Sequence, residues 1–263
     1  MIDIRAAGPM EQFEILPIVP LDLGGIDISI TNSSLWMLIG TSAIVLFFFL
    51  ATRRAALIPG RVQSAVEILY EFVSDLVRDT IGADGRKFFP YVFTLFIFIL
   101  AANLFGLLPS LPYTPAEIHT FTPTSHLIVT LALAMVTISI VVIYGFWKNG
   151  LKFLKLFAPS GQPFLMYFLL VPIEIVSFAS RPLSLAIRLF ANMFAGHIIL
   201  KLFAGFVVSM IGAGGVFAVL GIVPFLGTTA VMALEILVAF LQAYVFAILT
   251  CIYLSDAAHA ADH

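Results

Sequence analysis

Apolar runs long enough to cross a bilayer alternate with short polar stretches along most of this chain. A span needs roughly 20 predominantly apolar residues. The first such run covers 35–52 and leads directly into Arg53, Arg54 and Arg61. The second covers 88–108, and the third covers 125–147 before Lys148, Lys152 and Lys155. Positive charge beside a span marks the cytoplasmic side. The arm of residues 1–34 is therefore expected outside, as an irregular or short amphipathic piece with Pro17, Pro20 and paired glycines. The loop after the second run, PSLPYTPAEIHTFTP, has no Lys or Arg and is expected outside as well.

Between the first two runs the pattern changes. Over 62–83, Val66, Leu69, Phe72, Val73, Leu76 and Val77 recur at helical spacing, while Glu67, Glu71, Asp75 and Asp79 repeat every fourth position on another face. That predicts an amphipathic helix lying against the membrane or a partner on the cytoplasmic side, not a span.

The last hundred residues form longer runs. As one helix, 164–210 would measure about 70 Å, against a hydrocarbon core of about 30 Å. It either hides a turn or lies steeply inclined. Pro172 and Pro182 would bend it without necessarily ending it. Three glycines in 211–217 predict a turn, and 216–254 is again too long to stand upright. The best geometric solution is two long, inclined, antiparallel helices. The expected fold is a single all-α membrane domain over 1–263, with about five membrane segments plus the amphipathic helix. Five crossings from an outside N-terminus put the C-terminus in the cytoplasm.

Composition agrees with this picture: 61% of the residues are hydrophobic and only 11% charged, where a soluble domain carries roughly 25% charged residues. The net charge of −2, with no basic run, argues against nucleic acid. The lone Cys251 excludes an internal disulfide and is expected to pack as a small apolar residue. The N-terminus lacks the apolar core of a signal peptide, so the first span is expected to act as its own anchor. Phe-rich runs such as LFFFL and FIFILAANLF are expected to face lipid. Glu117, His119 and His126 are loosely spaced among prolines and fix no metal geometry.

Charge matters most where it is least expected. The stretch RPLSLAIRLFANMFAGHIILK, 181–201, carries Arg181, Arg188, Asn192, His197 and Lys201 inside an apolar run. A charge at the bilayer centre costs at least about 2.5–3.5 kcal/mol. On a helical wheel Ser184 and Asn192 lie about 40° to either side of Arg188, Arg181 lies about 20° from it, and His197 about 180° away. Glu235 and Gln242 share one face of the final run, seven residues apart. If the two long helices pack antiparallel with Gln242 level with Arg188, His197 and Glu235 fall close to one height, since the offsets are about 13.5 Å and 10.5 Å. Two polar layers result: Arg188 with Gln242 and Asn192, and His197 with Glu235 nearer the outside. Imidazole titrates near neutrality and suits proton handling, whereas a guanidinium stays charged. Structural alternatives are also open: Arg188 or Arg181 paired with Glu174, His197 as an interhelical hydrogen bonder, and Lys201 snorkelling towards headgroups.

RPLSLAIRLFANMFAGH, followed about forty residues later by ALEILVAFLQAYVFAILTCIYL, resembles the family of membrane a subunits of F-type rotary ATP synthases. The resemblance extends to SSLWML, AANLFGLLP and FAPSGQPFLMYFLLVPIEIVS, and so covers most of the chain. It implies a stator subunit in a bacterial inner membrane, beside a rotating ring of small hairpin c subunits and held by b-type peripheral stalk subunits. It also implies two offset proton half-channels. Arg188 matches the family's essential arginine, which faces the ring carboxylate and separates the channels. Asn192 and Gln242 match its polar neighbours, Ser184 and Glu174 match the cytoplasmic-side path, and His197 and Glu235 match the entry pair. Some bacterial relatives carry the acid first and the imidazole second; the order here resembles mitochondrial-type subunits. No cofactor is implied, and no Gly-rich phosphate loop appears, so the chain is expected to transport rather than hydrolyse. The rivals are an ion-coupled secondary transporter, although no repeat relates the two halves, and a non-transporting scaffold subunit.

Overall fold

The computed structural model describes residues 15, 17–20, 22–23, 26–27, 29–53, 56–108, 122–157 and 164–259. Seven α-helices dominate these: α1 Asn32–Thr52, α2 Arg61–Ile81, α3 Phe89–Gly106, α4 Leu127–Asn149, α5 Phe164–Ala213, α6 Gly215–Leu220 and α7 Ile222–Ala258. Five stretches are long and apolar enough to cross a membrane: α1, α3, α4, most of α5, and α6 with α7. The chain is thus an all-α, multi-pass membrane protein, with α2 as the additional amphipathic helix. Glu117 and His119, in the loop after α3, lie outside the described residues.

The arm departs from the expected irregular piece. Its described residues include short antiparallel pairs, β1 (Pro17–Val19) with β4 (Ile30–Thr31) and β2 (Asp22–Leu23) with β3 (Ile26–Asp27). Helix α1 starts three residues before the apolar run because Thr31 and Ser34 cap it reciprocally. The Thr31 N–H donates to Ser34 Oγ at 2.9 Å, and the Ser34 N–H donates to Thr31 Oγ1 at 3.3 Å.

The chain divides into two compact units. One comprises Met1–Ile44, Ile99–His126 and Leu189–Gln242. Here the later part of α5 and the earlier part of α7 run antiparallel. As α5 advances from Gly196 through Phe203 to Met210, its facing residues recede from Glu235 through Gly227 to Gly221. The reversal falls at Gly214 and Gly215, whose φ values of 69° and 59° lie in the left-handed region that glycine adopts freely. The expected turn is therefore correct, but it opens into the short helix α6 before α7 begins. No break interrupts α5, so the hidden-turn alternative fails. Its 50 residues extend about 75 Å, and Pro172 and Pro182 are accommodated inside it.

The other unit comprises Val45–Phe98, Leu127–Arg188 and Ala243–His263. Helix α2 buries Val66, Val73, Val77 and Ile81 and leaves Glu67, Glu71, Asp75 and Asp79 exposed. Its Tyr70 and Phe72 pack on rings of α3, and Phe72 also meets Tyr244 of α7. The apolar face that could have rested on a membrane is thus partly taken up inside the protein. Tyr91 on α3 bonds Thr137 on α4 through their hydroxyls at 2.8 Å. The connection 82–87 is tied to α4 by Lys148, which donates to Asp84.

FIFILAANLF corrects the expectation of lipid-facing packing. Phe96, Ile97, Ile99, Ala102 and Asn103 are buried, which makes α3 a core helix. An evenly apolar helix has no polar stripe to reveal which sides other helices cover. The LFFFL run of α1, by contrast, leaves Leu46, Phe47, Phe49 and Leu50 exposed. Cys251 is fully buried and free.

Candidate functional site: two polar clusters on the long helices

Residues His197 and Glu235 lie in the first unit, both buried at 8% and 4% exposure. They sit at one level, because the Glu235 carboxylate packs so closely on Gly196 that a Cβ there would overlap Oε1. Only a glycine preceding His197 leaves that space. The two groups share no hydrogen bond. Instead His197 Nε2 meets Thr122 Oγ1 at 2.9 Å, and Glu235 Oε2 has no hydrogen-bond partner among the described residues. A polar chain continues beside them: Thr124 Oγ1 donates to Asn103 Oδ1 at 2.8 Å, and Asn103 Nδ2 donates to the Ala239 carbonyl at 3.3 Å. Most buried polar groups have such partners, and Glu235 Oε2 is the exception in this cluster. This cluster therefore assembles one imidazole, one carboxylate, one amide and two threonine hydroxyls.

Gln242 is also buried in this unit, whereas Asn192 is exposed. In the second unit Ser184 and Arg188 are exposed and Glu174 is half-buried. Exposure on α5 thus recurs at Ser184, Arg188 and Asn192, while Leu185, Leu189 and Met193 are buried. Arg188 forms no ion pair among the described residues.

Arg181 behaves differently, and not as either pairing with Glu174 would have it. Its Nη1 donates to Asp256 Oδ2 at 3.0 Å, and its guanidinium lies 5.0 Å and 5.3 Å from the ring centres of Tyr253 and Phe178. An ion pair and two aromatic faces hold it in place. Sequence reasoning passed over Asp256, Thr122 and Gly196. Asp256 sits in a polar tail that reads as solvated, and Thr122 in a proline-rich loop remote in sequence. The small residues of AGH were the one available signal for Gly196.

A family model described as ATP synthase A chain matches residues 34–255, from α1 to the last turns of α7. The chain belongs to the ATP synthase A-chain family. It is 55% identical over 258 residues to ATP synthase subunit a of Hyphomonas neptunium, covering 98% of both chains. It is 55% identical to that of Maricaulis maris, over 95% of this chain and 97% of the relative. With the subunit a of Mesorhizobium japonicum it shares 53%, over 95% and 96%. The A-chain match includes the His197–Glu235 cluster and the exposed Arg188 stripe, and it ends one residue before Asp256.

Proposed function

We propose that this chain is the stator a subunit of a bacterial F-type ATP synthase and carries protons to and from a carboxylate on a ring of c subunits. The observation that carries the proposal is Arg188: it is exposed on a long apolar helix without an ion pair among the described residues. Such a charge is too costly to leave facing lipid, so its counter-charge arrives on another protein. Arg181, one heptad earlier, already has its counter-charge in Asp256.

In this mechanism a proton enters from outside past Glu235 and His197 and neutralises the ring carboxylate, which can then face lipid at much lower cost. On reaching the cytoplasmic path, lined by Ser184 and Glu174, the carboxylate releases that proton. Arg188 holds it ionised and, being unable to give up its own proton, blocks a direct wire between the two paths. Asn192 and Gln242 are the amides that the resemblance assigns to this arginine. A potential of 100 mV contributes about 2.3 kcal/mol per charge, so several protons are summed for each ATP. The N-terminus lies outside, the C-terminus in the cytoplasm, and b-type stalk subunits hold the chain still.

In inverted membrane vesicles, Arg188→Ala is expected to abolish ATP-driven acidification while the complex still assembles. Normal pumping by this variant would favour a scaffold subunit. Substrate movement by the isolated chain in liposomes would favour a secondary transporter.

A further inference from the structure

We infer that Thr122 is a positioning residue for the proton-carrying imidazole: its hydroxyl anchors His197 at Nε2 and leaves Nδ1 to take up and return the transported proton. This rests on His197 being an entry-path group, as proposed above. The anchor is a built one. Thr122 and His197 are both buried, with Oγ1 and Nε2 2.9 Å apart. The Thr122 backbone is fixed by its carbonyl, which accepts from the Ser125 N–H at 3.0 Å and from Ser125 Oγ at 2.6 Å. Its side chain rests on Gly106, where a Cβ would overlap Oγ1. Two residues on, Thr124 is bonded to Asn103, and Asn103 to the α7 backbone. The hydroxyl is thus delivered to the ring from a turn secured to two helices.

One ring nitrogen is therefore committed, while Nδ1 makes no hydrogen bond among the described residues. The proton balance follows. The neutral ring keeps its proton on Nε2 and donates it to Thr122 Oγ1. Uptake adds a second proton at Nδ1, giving an imidazolium, and release removes that same proton. Thr122 neither gains nor loses one. A hydroxyl oxygen accepts from Nε2–H in both charge states, so the ring stays in place throughout. A carboxylate at this position would accept too, but its charge would favour the imidazolium and slow release. The other charged groups near the ring are Glu235, over Gly196, and Lys201, four residues further along α5.

The test compares Thr122→Ser, Thr122→Val and Thr122→Asp with His197→Ala, as assembled complexes in inverted vesicles. Serine keeps the hydroxyl and is expected to pump near the wild-type rate. Valine keeps the shape without the hydroxyl and is expected to pump about tenfold more slowly. Aspartate retains a bond to Nε2–H, so it remains informative if valine fails to assemble, and it is expected to be slow. Wild-type pumping by either the valine or the aspartate variant overturns the inference, as does a serine variant as impaired as valine. His197→Ala separates the two levels of argument: if it pumps normally, the entry-path assignment itself fails. If it is inactive while valine pumps normally, only the role of Thr122 fails.

Discussion

A guanidinium keeps its charge at any pH a membrane meets, so an arginine in an apolar helix draws its counter-charge from its own chain or from a neighbour. Arg181 has Asp256 at 3.0 Å and two aromatic faces. Removing one partner of such a pair leaves the other charge uncompensated, whereas removing both does not. Asp256→Asn is therefore expected to lower the stability of the purified complex by about 1–2 kcal/mol, reduced from a fully buried pair because Asp256 is partly exposed. The double variant Arg181→Gln/Asp256→Asn should be milder than Asp256→Asn alone. Thermal unfolding of the a subunit in detergent measures both, and a double variant worse than the single would show that Arg181 contributes more through its aromatic faces than its uncompensated charge costs. At Gly196 the constraint is steric. A methyl there meets the Glu235 carboxylate, so Gly196→Ala is expected to suppress proton pumping, and shortening the acid with Glu235→Asp in the same chain should restore part of it. No recovery would mean that the overlap is relieved elsewhere.

At the level of elements, the backbone at Gly214 and Gly215 is in the left-handed region with open space around both Cβ positions. Gly214→Ala, at φ 69° and ψ −175°, is therefore a test of backbone strain alone, expected to cost about 1–3 kcal/mol, read as a lowered unfolding temperature of the a subunit. The connection 82–87 offers a pH test. Lys148, by hydrogen bond and charge, and then Lys87 hold the Asp84 carboxyl below its ordinary value. A depressed carboxylate stabilises fully above its unfolded-state value and loses that contribution as pH falls through the folded one. Asp84→Asn should thus loosen this connection equally at pH 6 and pH 8, measured by hydrogen exchange of 82–87, and the difference from wild type should vanish only in acid. Element boundaries were legible to within a few residues because apolar runs, glycines and flanking charges report them directly. The reciprocal cap at Thr31 and Ser34 lies outside the apolar run, which is why α1 begins earlier than hydropathy suggests. The burial of α3 was hidden for the opposite reason: Phe96 and Ile99 look alike whether they meet lipid or protein. Helical phase separated the exposed Arg188 stripe from the buried His197, but phase is local. The meeting of Thr122 with His197 joins residues 75 apart in sequence, and no spacing rule encodes it.

For the whole molecule, the question is which apolar surface meets lipid and which meets another protein. Helices α1 and α5 are the least buried of the candidate spans, yet they differ in kind. The exposed side of α1 is uniformly apolar through Leu46, Phe47, Phe49 and Leu50, as lipid requires. The exposed side of α5 includes Ser184, Arg188 and Asn192 among Leu183 and Ile187, which lipid tolerates poorly. A polar stripe with an apolar border suits a partner that brings a carboxylate and its own apolar helix, and it predicts a periodic cross-linking pattern. Single cysteines at Ser184, Ile187 and Asn192 should form disulfides with cysteines near the c-subunit carboxylate. Cysteines at Leu185, Leu189 and Met193, which face the interior, should not. Cysteines at Phe47 and Leu50 on α1 should also fail to cross-link, although they are as exposed as the α5 set. Cross-linking that follows exposure regardless of helix would mean that the ring does not select the arginine stripe. Cross-linking confined to α5 with a period near 3.6 residues would place the moving carboxylate on the same face as Arg188, which has no ion pair among the described residues.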